Sequence, residues 1–300
     1  MPSSEFFHKV KTKERIIEAL LAASGAIGVL TTVGILYVLI SESAQFFSTV
    51  PLGEFLTDTQ WTPLFADKHF GILPLITGTL LTTLIAIAVA LPVGLTVAIY
   101  LNLYAPATMR KWIKPVLEIL AAVPTVVYGY FALTVVTPFL QDIIPGLASF
   151  NSLSSGIVMG VMIIPIISSL SEDALYAVPK SLREASFGMG ATRYQTVFKV
   201  LVPAAASGIV VSVILAVSRA VGETMIVAIA AGQQPNLTFD PREPIMTITT
   251  YIVQVSMGDV EHGSLEYRTI YAAGISLFAL TFILNNVSFW IKKRFTAKYE

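Results

Sequence analysis

The chain has 300 residues, of which 55% are hydrophobic and only 13% are charged, about half the charged share of an ordinary soluble domain. With a mean hydropathy of +0.75 and 19 Lys and Arg balancing 19 Asp and Glu, the composition excludes a water-soluble globular protein, a disordered chain and a nucleic-acid-binding protein. The absence of cysteine excludes disulfides, thiol catalysis and cysteine-ligated metals, and the three scattered histidines predict no metal site.

Several long stretches lack Asp, Glu, Lys and Arg, and a helix needs roughly 20 apolar residues to cross a bilayer. We therefore predict an all-α membrane protein with six transmembrane helices. An N-terminal arm (1–15) and a C-terminal tail (293–300) flank a six-helix domain over 16–292. The predicted spans are 16–41, 72–102, 114–141, 154–172, 204–232 and 267–291, with an inner loop over 173–203.

The distribution of basic residues predicts the orientation of the chain. The N-terminal arm, the loop after span 2, the loop after span 4 and the tail hold most of the 19 Lys and Arg residues. The opposite loops hold only Lys68, Arg242 and Arg268. Because cytoplasmic loops are enriched in Lys and Arg, we expect both termini in the cytoplasm. On the other side, residues 233–265 are either a connector or a contact surface for an external partner.

The inner loop over 173–203 has an amphipathic pattern and is not a polar linker. Its apolar residues recur at helical spacing, are interrupted near Gly190, and then recur until Pro203. The pattern predicts a short helix, a glycine turn and a second helix along the cytoplasmic surface. Such a helix can lie on lipid or insert into a groove of another protein.

This loop resembles the EAA loop of ABC-importer permeases. The resemblance rests on Glu184-Ala185-Ser186, on Gly190 and on the Val-x-Val-Pro ending at Pro203. Three departures are conservative, with Ser for Ala at 186, Val for Ile at 200 and Val for Leu at 202. The resemblance implies a type I ABC importer permease fold with a cytoplasmic coupling helix. It also implies that Glu184, Ala185 and Gly190 couple the chain to an ATPase; the alternative is a surface helix without a partner.

Two charges, Arg219 and Glu223, lie inside the fifth predicted span. An Arg at the centre of a membrane helix costs roughly 2.5–3.5 kcal/mol on insertion scales, so such residues usually mark a pathway. At a spacing of four, the two side chains would share a helix face and could neutralise each other, which is the structural alternative. A guanidinium suits a tetrahedral oxyanion, but this reasoning does not separate phosphate, sulfate and molybdate.

Three segments resemble the PstC-type permease subunits of phosphate-specific ABC importers, and the GETM ending favours these over the paralogous PstA type. The segments are SRAVGETM at 218–225, GILPLITGTLLTT at 71–83 and EILAAVPTVVYG at 118–129. The resemblance implies a multi-pass protein of the bacterial inner membrane that forms half of a phosphate pathway. It implies that Arg219 and Glu223 take part in phosphate translocation.

The PTVVYG segment adds Thr125 and Tyr128 as candidate pathway residues, because both hydroxyls can donate to an anion. The alternative is interhelical hydrogen bonding, which is common among membrane helices. Pro124 is expected to kink this span.

The chain lacks the G-x-x-x-x-G-K-[ST] loop that binds ATP phosphates, so we predict that it is not an enzyme and binds no cofactor. The resemblance implies a PstA-like second permease, two PstB-like ATPase subunits that carry ATP and Mg²⁺, and a PstS-like external phosphate-binding protein, within a lipid bilayer. Two alternatives remain: an ABC permease for sulfate or molybdate, and an ion-coupled secondary transporter. The inner loop and the lack of a second Arg–Glu span disfavour the secondary transporter.

Overall fold

The computed structural model describes residues 4–296, and this part of the chain is mostly helical. The helices are α1 (Ser4–Phe47), α2 (Leu52–Thr57), α3 (Leu73–Ile99), α4 (Ala107–Ala122), α5 (Thr125–Phe131), α6 (Thr137–Gln141), α7 (Ser152–Tyr176), α8 (Lys180–Gly188), α9 (Arg193–Thr196), α10 (Val202–Ala204), α11 (Ala206–Val221), α12 (Met225–Ala230), α13 (Ile248–Ser256) and α14 (Leu265–Thr296). Wider π-helical turns follow α3, α5 and α9, over Tyr100–Tyr104, Ala132–Val136 and Val197–Leu201.

Four helical segments are long and apolar enough to cross a membrane: Glu14–Phe47, Leu73–Tyr104, Ser152–Tyr176 and Leu265–Val287. Two further segments pass the same test as bent pairs, so the total is six when each pair counts as one span. The pair Thr108–Ala122 and Thr125–Gln141 is bent by 91°, and the pair Arg193–Ala204 and Ala206–Val221 by 72°.

These bends change two of the predicted spans. The span predicted over 114–141 is interrupted before Thr125, where Pro124 cannot donate a helical hydrogen bond. The second bend lies between α10 and α11, at the start of the span predicted over 204–232. This span is interrupted again between α11 and α12. Of the predicted arm and tail, residues 1–3 and 297–300 lie outside the described residues, and the others continue α1 and α14.

The centre of the fold is the contact between α3 and α7. Glycines of α7 permit a close approach, since a Cβ at Gly160 would lie only 2.9 Å from the carbonyl oxygen of Ala86. Buried Met159 and Ile163 fill the surrounding core. These contacts hold the helices that carry the candidate site in fixed positions.

A second core lies where the end of α1, α2 and the segment before α3 meet α13 and α14. Phe46, Phe55 and Trp61 are almost completely buried there and contact one another edge to face. Trp61 also contacts Tyr251 of α13, with ring centroids 5.0 Å apart. The region predicted as a loop over 233–265 therefore contains a buried helix that belongs to the core.

Candidate functional site

The fifth membrane segment is broken between its two charges. Helix α11 ends at Val221 and α12 begins at Met225, so Arg219 lies in the last turn of one helix and Glu223 in the connection. The expectation that both side chains share one helix face is wrong, because the helix does not continue between them. The structural alternative, in which the two charges neutralise each other, is therefore not supported. Among the residues that the structure describes, no ion pair joins them.

Glu223 is buried, with 8% of its surface exposed. Its Oε1 accepts hydrogen bonds from the backbone N–H groups of Met225 (3.1 Å) and Ile226 (3.4 Å) at the start of α12. These N–H groups have no partner within the helix, and a helix N-terminus favours negative charge. The charge of Glu223 is therefore balanced by the backbone of its own connection.

Arg219 is exposed on the surface of the isolated chain. Its Nη2 lies 3.9 Å from the sulfur of Met162 on α7, a weak contact. None of the carboxylates in the described part of the chain pairs with it. Its position in the last turn of α11 suits a cation, because helix C-termini carry partial negative charge. The guanidinium donors therefore remain available for an anion.

The PTVVYG segment forms the sharp bend between α4 and α5. Tyr128 is 7% exposed, and its hydroxyl donates to the carbonyl oxygen of Leu120 at 2.7 Å. This bond satisfies a carbonyl that the bend frees from helical pairing. Thr125, the first residue of α5, makes no side-chain hydrogen bond within the described residues. Tyr128 therefore stabilises the bend, while Thr125 keeps a free hydroxyl.

Helix α5 lies directly against α12. A Cβ at Gly129 would lie 3.0 Å from the carbonyl oxygen of Met225 and 3.1 Å from the Cα of Ile226. Only glycine permits this approach without displacing backbone. The two motifs that the sequence singled out, PTVVYG and GETM, are thus brought together, although neither Thr125 nor Tyr128 contacts Arg219 or Glu223 through a side-chain hydrogen bond.

A buried threonine cluster next to Glu223 was missed from the sequence. Thr249 Oγ1 donates to the backbone carbonyl of Glu223 at 2.8 Å. Thr247 caps the start of α13, and the N–H of Ile248 donates to Thr79 Oγ1 of α3 at 3.1 Å. Repeated threonines before an apolar helical pattern are typical of a capped helix start, and this feature of the sequence could have indicated α13. The cluster fixes the broken segment between α3 and α13.

The predicted coupling segment has the helix–turn–helix arrangement that its sequence indicated. Helix α8 ends in a Schellman motif, with Ala191 N–H donating to Ser186 O (3.1 Å) and Gly190 N–H donating to Phe187 O (2.9 Å). Gly190 is the left-handed residue of this motif, with φ of 79°. The hydroxyls of Ser186 and Thr196 are 2.9 Å apart and connect α8 to α9.

Glu184, Ala185 and Gly190 are all exposed. They are accompanied by exposed apolar side chains, which are Leu182, Phe187, Met189, Tyr194 and Phe198. Met189 is 89% exposed. Since exposed apolar patches mark interaction sites, the surface has the character expected of a docking segment.

The segment before α3 holds a titratable pair. His69 Nδ1 lies 2.9 Å from Asp58 Oδ2, and this hydrogen bond raises the pKa of His69 above its usual value. Burial raises the pKa of Asp58, but hydrogen bonds from the Gln60 backbone and from His69 outweigh it and leave the pKa lowered. Among the side chains that the structure describes, no three of His, Asp or Glu are arranged to hold a metal ion.

Comparison with known proteins identifies the family. Residues 90–298 match the family described as "Binding-protein-dependent transport system inner membrane component". The probable ABC transporter permease protein YqgH of Bacillus subtilis is 38% identical, covering 77% of this chain and 74% of that protein. The phosphate transport system permease protein PstC of Mesorhizobium japonicum is 31% identical, covering 95% of this chain and 91% of that protein.

Solved structures show the same fold at low sequence identity. A bacterial ABC transporter involved in the import of alginate aligns with a TM-score of 0.64 at 16% identity, covering 97% of this chain and 99% of that chain. The MetNI methionine ABC transporter in an inward-facing conformation aligns with a TM-score of 0.57 at 19% identity, covering 75% of this chain and 94% of that chain.

The predicted type I ABC importer permease fold is thereby confirmed, and the ion-coupled secondary transporter is rejected. The family match covers more than half of the chain, and a relative above 30% identity aligns over nearly all of it. Together with the apolar helices, these findings make the protein a multi-pass membrane component. The chain belongs to the family of binding-protein-dependent transport system inner membrane components, the permeases of ABC importers.

Proposed function

We propose that this chain forms half of the transmembrane pathway of an ATP-driven importer of inorganic phosphate. The observation that carries the proposal is the guanidinium of Arg219, which lies beside a helix break and pairs with no carboxylate in the described part of the chain. A planar guanidinium can offer two parallel N–H donors to a tetrahedral oxyanion. The names of the PstC relatives support phosphate as that anion.

The balanced charge of Glu223 supports the same function. Because its carboxylate is held by two backbone N–H groups, it does not occupy Arg219. It still places negative charge four residues away along the chain, which moderates the attraction for an anion. A transport site must release its substrate, so a single cation with a nearby anion is better suited than a tight multidentate site. Thr125 supplies an additional donor in this proposal, and Tyr128 positions the bend.

The complete importer in this proposal contains a PstA-like second permease, two PstB-like ATPase subunits and a PstS-like external phosphate-binding protein. ATP and Mg²⁺ bind the ATPase subunits, and this chain binds no cofactor. In this proposal both termini lie on the cytoplasmic side of the bacterial inner membrane, an orientation that the basic inner loops support. The exposed surface of α8 and α9, with Glu184, Ala185 and Gly190, then faces the ATPase.

In the proposed mechanism, ATP binding closes the ATPase dimer and moves the coupling segment. Helix α9 continues through the π-helical turn over Val197–Leu201 and α10 to the start of α11, so this movement is passed to α11. The permease pair opens outward and receives phosphate from the docked binding protein. Hydrolysis and product release restore the inward-facing state.

The test is uptake of labelled phosphate by proteoliposomes that contain the whole complex, with and without ATP. Sulfate and molybdate are added as competitors in parallel. ATP-dependent uptake that only phosphate competes away supports the proposal. Inhibition of phosphate uptake by sulfate or molybdate identifies another oxyanion as the substrate. The absence of ATP-dependent uptake of any of these anions contradicts the assignment as an ATP-driven oxyanion importer.

A further inference from the structure

A second group of cationic side chains surrounds a cavity of about 160 Å³, and Arg219 is not part of its wall. The wall is formed by the π-helical turn after α3, the beginning of α4, the end of α7, the beginning of α8 and the π-helical turn after α9. The cavity volume is well above the roughly 10–15 Å³ that a cavity needs to hold one water molecule. The polar side chains of its wall are those of Asn102, Arg110, Tyr176, Lys180 and Arg183.

The cationic side chains of this wall have no acidic partner. Arg110 Nε donates to the backbone carbonyl of Leu101 at 3.1 Å, and Arg183 Nη2 donates to Asn102 Oδ1 at 2.6 Å. Lys180 makes no side-chain contact of this kind, and none of the three forms an ion pair with a side chain that the structure describes. The cavity wall contains no Asp or Glu.

The arrangement is suited to an anion. Both guanidiniums are half-buried and held by neutral acceptors, so their remaining N–H donors are oriented without being neutralised. Three positive charges around one cavity repel one another, and an anion between them removes that repulsion. Arginine is well matched to phosphate oxygens, and lysine adds a point charge.

We propose that this cavity binds a phosphoryl anion, either the headgroup phosphate of an anionic lipid or inorganic phosphate. The site lies among the basic inner loops, where anionic lipid headgroups are available. An occupant would contact α4 through Arg110 and α8 through Lys180 and Arg183 at the same time. It would therefore hold the coupling segment against the membrane helices. This inference does not depend on which solute crosses the membrane.

The lipid source is tested by native mass spectrometry of the purified complex after exchange into phosphatidylcholine with added phosphatidylglycerol. Lys180→Glu is compared with Lys111→Glu, since both lysines are exposed but only Lys180 lines the cavity. Reversing one exposed charge is expected to weaken phosphatidylglycerol retention by about tenfold. Lys111→Glu should retain the lipid as the unchanged protein does.

The free anion is tested in phosphatidylcholine alone, by ³¹P line broadening of inorganic phosphate. Both variants are made in the Arg219→Ala background, so that the transport pathway does not contribute. If only Lys180→Glu loses phosphatidylglycerol, the occupant is a lipid headgroup. If only Lys180→Glu loses the line broadening of inorganic phosphate, the occupant is inorganic phosphate. If Lys180→Glu and Lys111→Glu behave alike in both experiments, the proposed site is refuted.

Discussion

Replacing Gly190 with valine tests whether the Schellman turn between α8 and α9 is needed for coupling. Gly190 has φ of 79°, a region that β-branched residues strongly avoid. A Cβ at this position would meet no atom within 4 Å in the chain. The effect of the substitution on this subunit is therefore backbone strain rather than a clash.

The magnitude follows from that strain. A left-handed conformation costs an L-residue about 1–2 kcal/mol. At about 1.4 kcal/mol per tenfold change in an equilibrium constant, 2 kcal/mol lowers the ratio of the observed turn to other turn conformations by roughly 30-fold. Because this turn sets the direction of α9 relative to α8, we expect ATP hydrolysis to continue while transport driven by it falls by up to about this factor.

The assay measures ATP hydrolysis and phosphate uptake by the complete importer in the same proteoliposomes. Gly188→Val is the matched control, because Gly188 is equally open but lies in ordinary helical backbone. Gly190→Ala separates strain from bulk, since alanine brings the strain with a single methyl group. Equal coupling in Gly190→Val and Gly188→Val would refute the reasoning.

Three further predictions concern local contacts. Glu223→Ala removes the carboxylate that accepts hydrogen bonds from two backbone N–H groups and should destabilise the protein by about 1–2 kcal/mol, measured as a lower melting temperature. Glu223→Gln keeps an acceptor oxygen and should lose less stability. Equal losses of stability would argue against the capping role. Ser186→Ala removes the hydrogen bond to Thr196, which is worth about 1 kcal/mol. Assembly and coupling should be preserved because the family pattern has alanine at this position, and loss of assembly would contradict this expectation. The pKa of His69 is raised in the folded protein by Asp58, so the stabilising contribution of His69 is present below about pH 6.5 and is lost as the pH rises through the folded pKa. Over this range the melting temperature should fall more steeply for the unchanged protein than for His69→Gln. Equal slopes would count against a stabilising His69–Asp58 pair.

The membrane segments and the coupling turn were predictable because their signals are local. Apolar stretches of sufficient length indicate spans, and a glycine between two amphipathic stretches indicates a turn. Gly190 illustrates this, since its left-handed backbone follows from the residue type at the end of a helix.

The helix break and the threonine cluster were not predictable in this way. Gly222 alone is compatible with a continuing helix. The end of α11 depends on tertiary contacts with residues that are distant in the sequence. Glu223 caps α12, and Thr249 from far along the chain binds its carbonyl oxygen. The spacing of Arg219 and Glu223 indicated a helical pair because the sequence does not contain these tertiary contacts.

Substitution of Arg219 tests most directly whether its guanidinium contacts the transported anion. Phosphate uptake is measured for Arg219→Ala and Arg219→Lys in complexes whose assembly is verified by chromatography and whose ATP hydrolysis is measured in parallel. We expect Arg219→Ala to assemble and to hydrolyse ATP but to lose uptake, and Arg219→Lys to retain part of it, because lysine keeps the charge without the planar fork. Normal uptake by Arg219→Ala, or failure of that variant to assemble, would contradict this role of Arg219.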